Sequence, residues 1–361
     1  MSTPTTIRSL TVAPLDIPLF VPFGIAGGAQ PMANNVLATI ELADGTKGYG
    51  EAAPLPPYNG ETQADATTAL ESARGWIAGK DARDWKQVAA EFRARRTIKS
   101  GSAQCALEMA LVDALTRHDR MPMWKYFGGK GTELETDMTV TTGTVEQAAA
   151  DTRDILSRRI RMIKVKVGGK AGPAHDLARL LAIRELAPTA PLILDGNAGV
   201  SRAAAKELVQ GMKKHGIVPA LLEQWLPKDD YEGMRALREE SGWTVAADEA
   251  VTSKADAEKV VATRCAQFIN IKLMKDGLAT ALDIVSVAHA NGLGLMIGGN
   301  VESILAMTTS ACFAAGAGGF TYADLDTPMF LASNPFEGGY ALDGGSISLD
   351  HITAGHGVRP K

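Results

Sequence analysis

Ionisable residues stand at the ends of successive short apolar runs in the middle of this 361-residue chain. In chain order they are Lys166, Asp195, Glu223, Asp248 and Lys272, with steps of 29, 28, 25 and 24 residues between them. Each step is about the length of one strand–helix unit. Because the carboxyl ends of the strands in a parallel barrel open on one cavity, we expect these side chains to meet there.

Three of these residues, Asp195, Glu223 and Asp248, predict a metal site. Carboxylates that converge from neighbouring strands repel one another unless a cation lies among them. Oxygen ligands suit Mg²⁺, which keeps open positions for water or for a substrate carboxylate. The alternative is that each acid caps the helix after its strand, as Asp195 could do alone. Three acids in register on adjacent strands favour the metal site.

Lysines flank the predicted metal site on both sides. Lys166 and Lys272 lie one strand outside the acids, and Lys164 projects from the same face as Lys166. A lysine is a poor base at neutral pH unless burial or a second ammonium disfavours its charged form, and Lys164 supplies such a charge. A surface edge strand would also tolerate this lysine pair, but a barrel strand has no free edge. The lysines can therefore flank a metal-bound substrate.

From Thr136 onward, short apolar strands alternate with helices, which is typical of a (β/α) barrel. The predicted strands are Thr136–Val140, Met162–Lys166, Leu192–Asp195, Ala220–Glu223, Val245–Ala247, Phe268–Lys272, Leu295–Gly298 and Phe320–Ala323. The predicted helices include Ala174–Ala187, Ser201–Lys214, Gly277–Ala290 and Glu302–Ala315. After the eighth strand the sequence offers no further barrel helix.

The N-terminal third has a different pattern. Alternating residues predict antiparallel strands at Ile7–Leu15, Asn35–Glu41 and Lys47–Glu51, and helical periodicity follows over Ala64–Ala78, Trp85–Arg95 and Ser102–His118. Strands followed by helices predict an α+β unit. We divide the chain into an α+β domain (1–131), a barrel (132–326) and a closing segment (327–361) that returns to the first domain.

The composition argues against several classes of protein. Lys and Arg number 37 against 41 Asp and Glu, a net charge of −4, so we expect no nucleic-acid partner. No run of about eighteen apolar residues predicts a membrane-spanning helix, and the first residues lack a secretory pattern. Cys105, Cys265 and Cys312 are widely spaced in apolar settings. We therefore expect reduced thiols and a cytoplasmic location.

Five motifs resemble those of the muconate-lactonizing branch of the enolase superfamily. They are Ile163–Lys166, Leu194–Asn197, Leu222–Trp225, Ala247–Glu249 and Asn270–Lys272. The resemblance covers nearly the whole chain. It implies an α/β fold: a modified TIM barrel of the (β/α)7β type, with an N-terminal α+β capping domain that the C-terminal segment completes.

The same resemblance implies roles for the barrel residues. The three acids would hold one Mg²⁺ per subunit, and Lys166 and Lys272 would be the acid–base pair. Lys164 would lie beside the substrate carboxylate and tune Lys166. Enolase-superfamily sites combine a lysine or histidine base with Mg²⁺ that stabilises an ene-diolate.

Two aspartates, Asp324 and Asp326, follow the eighth predicted strand directly. At spacing i, i+2 on an extended segment they point the same way and can face a cation; a turn with two capping aspartates is the alternative. Dipeptide epimerases of the superfamily carry a similar Asp-x-Asp, which binds the α-ammonium of the dipeptide. Thr139 and Asn300 are predicted substrate contacts at the same mouth, with polar loop packing as their alternative.

The segment Val21–Gln30 contains no charged residue. Epimerases that act on Ala-Glu place an arginine here to pair with the glutamate side chain, and an anionic side chain buried without a partner would be costly. We predict instead a small apolar pocket wall that includes Ile25, with Tyr58 of the capping domain as a second specificity residue. Because Glu51 and Glu61 are acidic, a substrate with a cationic side chain stays an alternative.

The sequence therefore predicts a Mg²⁺-dependent isomerase that converts L,L-dipeptides to L,D-dipeptides at the C-terminal residue. The reaction is a 1,1-proton transfer through an enolate, with a preference for hydrophobic dipeptides. Alternatives are a cationic-dipeptide epimerase, or a muconate cycloisomerase or o-succinylbenzoate synthase on the same metal site. A non-enzymatic peptide binder and a Schiff-base aldolase are further alternatives. The expected partner is a small dipeptide, and a homo-oligomer stays open.

Overall fold

A three-stranded antiparallel sheet begins the chain. The structure is a computed structural model that describes residues 3–25 and 28–361, without the side chains of residues 23, 25, 28 and 29. The strands, in the order β1-β2-β3, are β1 (Ile7–Ile25), β2 (Gly28–Leu42) and β3 (Lys47–Ala52).

The first two strands form a longer hairpin than the sequence predicts. Pairing continues to Ile25 opposite Gly28, with an irregularity between Pro18 and Phe23. Part of Val21–Gln30, expected as a connection, is therefore strand. Apolar and aromatic residues such as Phe20 and Val21 favour extended backbone, which explains the difference.

Helices cover this sheet. They are α1 (Pro56–Asn59), α2 (Gln63–Glu71), α3 (Arg74–Ile77), α4 (Trp85–Arg95), α5 (Gly101–His118) and α6 (Met123–Tyr126). The single helix predicted over Ala64–Ala78 is broken between α2 and α3. The Ser72 hydroxyl donates to the Ala69 carbonyl there, and Gly75 is a weak helix former.

The long helix α5 packs unusually close to β3. A Cβ on Gly48 would lie 2.2 Å from the Ala110 carbonyl oxygen, and one on Gly50 would lie 2.0 Å from that of Ala106. Only glycine at these positions allows the contact, which seats α5 in the core of the capping unit.

Eight parallel strands then form the barrel, in sheet order of the chain. After the short strand β4 (Glu133–Glu135) they are β5 (Met138–Val140), β6 (Ile163–Lys166), β7 (Leu192–Asp195), β8 (Leu221–Glu223), β9 (Val245–Ala247), β10 (Phe268–Lys272), β11 (Gly294–Gly298) and β12 (Phe320–Ala323). The helices between them are α7 (Val145–Ser157), α8 (Pro173–Leu186), α9 (Arg202–Lys214), α10 (Tyr231–Ser241), α11 (Lys254–Thr263), α12 (Gly277–Ala290) and α13 (Ile304–Ala317). This arrangement confirms the predicted (β/α)7β barrel.

The two outer strands of the sheet meet and close it. Thr136 bridges Ala323 in parallel, and the Asp137 amide donates to the Ala323 carbonyl at 2.9 Å. The Thr136 hydroxyl also accepts from the Leu325 amide at 2.9 Å. Because the sheet closes, the side chains of alternate strand positions converge on one interior.

An apolar layer fills the lower interior of the barrel. It consists of Ile193, Leu221, Ala246 and Met296, with Met162, Phe268 and Tyr322 against them. Side chains two positions apart on a strand face the same way, so the layer above it contains polar and ionisable residues at the carboxyl ends. The ionisable residues therefore lie directly above a buried apolar layer.

The C-terminal segment packs on the capping unit. Its strands are β13 (Phe336–Gly338), β14 (Ala341–Asp343), β15 (Ser346–Ser348) and β16 (Val358–Pro360). β13 pairs with β16, and β15 lies between β14 and β4 and pairs with both. The Arg117 side chain donates to the Val358 carbonyl at 2.6 Å, and the His356 amide donates to Asp113 at 2.9 Å. The boundaries at residues 131 and 326 stay predictions.

Within the two described ranges, the structure offers no helix whose length and apolar character would suit a membrane crossing.

Candidate active site

Three buried acids lie side by side at the carboxyl ends of β7, β8 and β9. Asp195 pairs in register with Glu223, and Asp248 directly follows β9. All three are fully buried. The structure therefore brings these three acids, selected by their spacing in the sequence, to the same end of the barrel on neighbouring strands.

Backbone turns and amide side chains orient these acids. The Asn270 side chain donates to Glu223 Oε1 at 2.7 Å, and the Asn197 amide donates to Asp195 Oδ1 at 2.9 Å. Gln224 Oε1 accepts from the Asp248 amide at 2.9 Å, and Gln224 itself has φ +36°. Such strained turns after strand ends hold the acids in fixed directions.

Lys164 is the most enclosed cation of the site. Its ammonium lies 3.0 Å from Asp195 Oδ2, 2.9 Å from Glu223 Oε2 and 2.6 Å from Asp324 Oδ2. Burial alone lowers the pKa of Lys164, but these carboxylates outweigh burial and raise it well above the usual range. Lys164 therefore carries a positive charge inside the barrel.

Lys166 and Lys272 lie on either side of the acids. Lys166 Nζ is 2.6 Å from Asp195 Oδ2, the oxygen that also faces Lys164, and Lys272 Nζ is 2.8 Å from Asp248 Oδ2. Burial lowers the pKa of Lys272, but the nearby carboxylates, Asp248 first and then Glu223 and Glu249, together raise it above the usual range. Since Asp195 ends β7 and Asp248 directly follows β9, the two ammoniums approach the acids from opposite flanks.

Both flanking lysines line one small cavity. Its wall consists of Leu55, Tyr58, Lys166, Asn197, Lys272, Gly299, Asn300, Asp324 and Thr327. The capping unit contributes Leu55 and Tyr58, and the remaining wall comes from strand ends and loops of the barrel. The cavity therefore lies between the two units, where a small substrate can be enclosed.

The donor set of the strand-end acids fits a divalent cation. Glu223 Oε2 and both Oδ atoms of Asp248 have no well-aligned hydrogen-bond donor among the described residues. Ammonium groups nevertheless lie 2.8 to 2.9 Å from these oxygens, so positive charge is near while lone pairs stay free. Buried carboxylate oxygens with free lone pairs are the ligands that Mg²⁺ prefers.

A second acid cluster lies beside the first and includes a residue that the sequence did not single out. Oxygens of Asp137, Asp324 and Asp326 all lie within 4.8 Å of one another, a closeness that the strand-end acids do not reach. Asp137 is fully buried, and neither of its oxygens has a hydrogen-bond partner in the part of the chain that the structure describes. Burial, then Asp324, raises its pKa well above the usual range. Its spacing of two residues before Thr139 was the available signal.

The predicted Asp-x-Asp pair divides in the structure. Asp324 lines the cavity and pairs with Lys164, whereas Asp326 is fully buried and accepts from the Thr139 amide at 2.7 Å. Burial, followed by the charge of Asp324, raises the pKa of Asp326 to about 7. The acids are brought together, but only Asp324 lines the cavity.

The other predicted substrate contacts are spread around the mouth. Asn300 lines the cavity and donates to the Ala53 carbonyl at 2.8 Å, which leaves its Oδ1 without a partner in the described chain. Lys272 Nζ lies 4.9 Å from the centre of the Tyr58 ring. Thr139 faces a neighbouring hollow under the β1–β2 hairpin. Ile25 ends β1, and its side chain lies outside the described residues.

Glu51 and Glu61, the two acids that kept a cationic substrate as an alternative, both accept hydrogen bonds from other residues of the protein. Glu51 is fully buried and accepts from the Asn35 side chain at 2.6 Å and from the Ser303 amide at 2.9 Å. Glu61 accepts from the Ser102 hydroxyl at 2.6 Å and from Ser100. Neither lines the cavity. Glu51 joins β3 to the residue before α13, whereas Glu61 joins two segments within the capping unit.

Comparison with known proteins identifies the family. Residues 7–128 match the mandelate racemase/muconate lactonizing enzyme N-terminal domain, and residues 145–361 match the enolase C-terminal domain-like family. The chain belongs to this family, which confirms the resemblance to the enolase superfamily.

Individual relatives are dipeptide epimerases. An aromatic dipeptide epimerase of Herpetosiphon aurantiacus is 49% identical over 98% of this chain and 99% of that protein. A hydrophobic dipeptide epimerase of Citrifermentans bemidjiense is 34% identical over 98% of each. The structure of a dipeptide epimerase from Enterococcus faecalis, complexed with Mg and the dipeptide L-Leu-L-Tyr, superimposes with a TM-score of 0.93 at 28% identity, over 98% of this chain and 99% of that one.

Proposed function

We propose that the protein is a Mg²⁺-dependent isomerase that epimerises dipeptides at the C-terminal residue, from L,L to L,D. The observation that carries the proposal is the placement of Lys166 and Lys272 in one cavity, on opposite flanks of three buried carboxylates. The names of the relatives, which act on aromatic and hydrophobic dipeptides, support it. The Mg²⁺ and dipeptide in the complex of the Enterococcus faecalis relative support the cofactor and the substrate class.

We assign the following roles to the site residues. Asp195, Glu223 and Asp248 would hold Mg²⁺, which supplies positive charge for the substrate carboxylate and for the charge that builds up on it. Lys166 and Lys272 lie on opposite flanks, so one removes the α-proton and the other returns a proton to the opposite face. Proton transfer by well-placed groups contributes about 10²–10⁴-fold to the rate.

Lys164 has a different part from the flanking lysines. It is fully buried, surrounded by three carboxylates and absent from the cavity wall, so we assign it to charge balance beside the substrate carboxylate rather than to proton transfer. It also shares Asp195 Oδ2 with Lys166. Its ammonium thus fixes the carboxylate that orients Lys166.

We assign the α-ammonium of the dipeptide to Asp324 and Asp326. Asp324 lines the cavity with both flanking lysines, and Asp326 stands behind it with Oδ1 unpartnered among the described residues. A cation near these acids would relieve their mutual repulsion. Substrates of the cycloisomerase and o-succinylbenzoate synthase alternatives carry no ammonium, so this cluster favours a dipeptide.

The hollow beside the cavity has apolar residues in its wall that suit a hydrophobic side chain of the substrate. Phe20 and Val21 of the β1–β2 hairpin are 70% and 59% exposed, and they line the hollow that also contains Thr139, Met329 and Phe330. Apolar groups left in water at a mouth are available to cover an apolar ligand. The engagement of Glu51 and Glu61 removes the acids on which a cationic preference depended, so we place the cationic-dipeptide alternative second.

The location and assembly of the protein are further proposals. Cys105, Cys265 and Cys312 are free and buried, which supports a reducing compartment such as the cytoplasm. A homo-oligomer through the capping helices stays a hypothesis, to be tested by light scattering.

The test is removal of either flanking lysine. Lys166→Ala and Lys272→Ala are each expected to lower epimerisation of a hydrophobic L,L-dipeptide by at least about 10³-fold, because each removes one of the two proton-transfer groups. Chiral chromatography of the product measures the rate, and circular dichroism checks the fold. Lys228→Ala, at an exposed lysine that pairs with its neighbour Asp229, is the control. Near-normal turnover in either variant would contradict the two-lysine assignment.

A further inference from the structure

Lys275 is a buried lysine that the proposed reaction does not use. It lies in the short 3₁₀ turn Leu273–Lys275 directly after β10, and its side chain is 5% exposed. It is not part of the wall of the cavity that holds Lys166 and Lys272. A lysine in this position cannot touch a substrate in that cavity, so its ammonium must serve the protein itself.

Four oxygen atoms surround the Lys275 ammonium. Nζ lies 2.8 Å from Asp248 Oδ1, and it donates to the main-chain carbonyls of Asp248 at 2.5 Å, Val251 at 3.0 Å and Asn270 at 2.8 Å. The ammonium therefore joins the turn after β9 to the end of β10. It contacts both the backbone and the side chain of Asp248.

These contacts determine the direction of the Asp248 carboxylate. Lys275 faces Oδ1 and Lys272 faces Oδ2, so each oxygen has its own ammonium. The Asp248 amide is fixed independently by Gln224. Without Lys275, the carbonyls of Val251 and Asn270 would lose a buried donor and Asp248 Oδ1 would lose its ion pair, while the Asp248 carbonyl would keep only the Val251 amide. Buried acceptors without a partner are unfavourable. The turn would have to rearrange to reach water, and Asp248 would move with it.

We propose that Lys275 is a positioning residue for the divalent-cation site: it acts through Asp248 and sets the affinity for Mg²⁺. The inference rests on the proposed function, in which Asp248 is a ligand. Two effects of the ammonium oppose each other, since its charge repels a cation while its contacts orient a ligand. Orientation wins, because the charge is already balanced by the carboxylate that it contacts, while the same ammonium links three main-chain carbonyls to that carboxylate. Groups that orient metal ligands typically change affinity 10–100-fold when removed.

The experiment is a Mg²⁺ titration of substrate-free protein by calorimetry. Lys275→Met keeps the length of the side chain and removes both the charge and the donors. We expect the Kd for Mg²⁺ to rise about 10–100-fold, and kcat at saturating Mg²⁺ to stay within a few-fold of the wild-type value. Lys228→Met, at an exposed lysine, is the matched control and should leave the Kd unchanged.

The outcomes separate the inference from the proposed function. An unchanged Kd in Lys275→Met overturns the inference, and a lower Kd shows that charge repulsion dominates and overturns it as well. A wild-type protein that binds no Mg²⁺ overturns the proposed function together with the inference. If Lys275→Met does not fold, Lys275→Arg retains charge and donors in a different geometry. A higher Kd for Mg²⁺ in that variant supports the positioning role of Lys275, and a Kd equal to that of the wild type contradicts it.

Discussion

Asp324 and Asp326 have different surroundings although only one residue separates them. Asp324 pairs with Lys164 and reaches the cavity, and Lys164 and Lys166 outweigh burial to hold its pKa below the usual range. Asp326 lies behind it against Asp137, with a raised pKa because of burial and the charge of Asp324. The barrel interior therefore contains two adjacent acid clusters, one at the strand ends of β7 to β9 and one between β5 and β12.

These clusters predict separate responses to mutation. Asp195→Asn is expected to weaken Mg²⁺ binding by at least about 10-fold, because it removes a charged ligand. Asp137→Asn should leave the Kd for Mg²⁺ within about 3-fold but raise KM for the dipeptide, because Asp137 lies against Asp324 and Asp326, to which we assign the α-ammonium. Calorimetry with Mg²⁺ and steady-state kinetics measure the two effects. Loss of Mg²⁺ binding in Asp137→Asn alone would mean that the two cluster assignments must be exchanged.

Among residues, the sequence predicted those at strand ends and missed those whose partners come from elsewhere. Asp195, Glu223 and Lys272 terminate apolar runs, so their common location follows from the barrel itself. Lys275 lies in a turn, and its role depends on carbonyls 5 to 27 residues away. Asp137 lies inside the predicted strand Thr136–Val140, and its acid neighbours Asp324 and Asp326 follow the last strand of the barrel. Neither role is visible in local spacing.

At the scale of elements, α5 joins the capping unit to the barrel. Glu108 of α5 accepts from the Ala279 amide at the start of α12 at 2.8 Å and from Gln104 at 2.8 Å, and it is fully buried. Burial raises the pKa of Glu108 to about 7, against the opposing hydrogen bonds. A titratable group thus lies in the contact between the two units.

Glu108 gives the stability of the protein a pH dependence with a defined sign. The folded state keeps the Glu108 proton up to about pH 7, whereas the unfolded chain releases it near 4.5. Between these values unfolding releases a proton, so rising pH favours the unfolded chain, by up to about 3 kcal/mol in total. Urea unfolding from pH 4.5 to 8 measures this effect as the difference between wild type and Glu108→Gln. The wild-type free energy of unfolding should fall relative to that of the variant across the window; a constant difference would contradict the argument.

Element boundaries followed the strength of the local pattern. Strands β7, β9 and β10 match their predictions residue for residue, because short buried runs end at polar or ionisable residues there. The β1–β2 hairpin was underestimated and the helix over Ala64–Ala78 was predicted as continuous. Strand pairing extended the hairpin, and a side-chain hydrogen bond of Ser72 accompanies the break in the helix. The periodicity of apolar residues predicts neither.

At the scale of the whole molecule, the fold explains why the chemistry lies where it does. An apolar layer that includes Ile193 and Met296 closes the barrel from below, and Leu55 and Tyr58 of the capping unit cover it from above. Charges enclosed between these layers interact strongly because water is excluded. The closed barrel could be predicted from the alternation of elements. The capping domain and the place of Tyr58 at the pocket followed only from the family resemblance, because they depend on how two units dock.

The most direct test of the account is the exchange of the α-proton. The protein would be incubated with a panel of L,L-dipeptides in D₂O with Mg²⁺, and mass spectrometry would follow deuterium at the C-terminal residue. We predict label uptake by hydrophobic and aromatic dipeptides, with L,D product, and none by N-acetylated forms or after chelation of the metal. No uptake by any dipeptide, together with turnover of a muconate or of the o-succinylbenzoate synthase substrate, would contradict the proposed function.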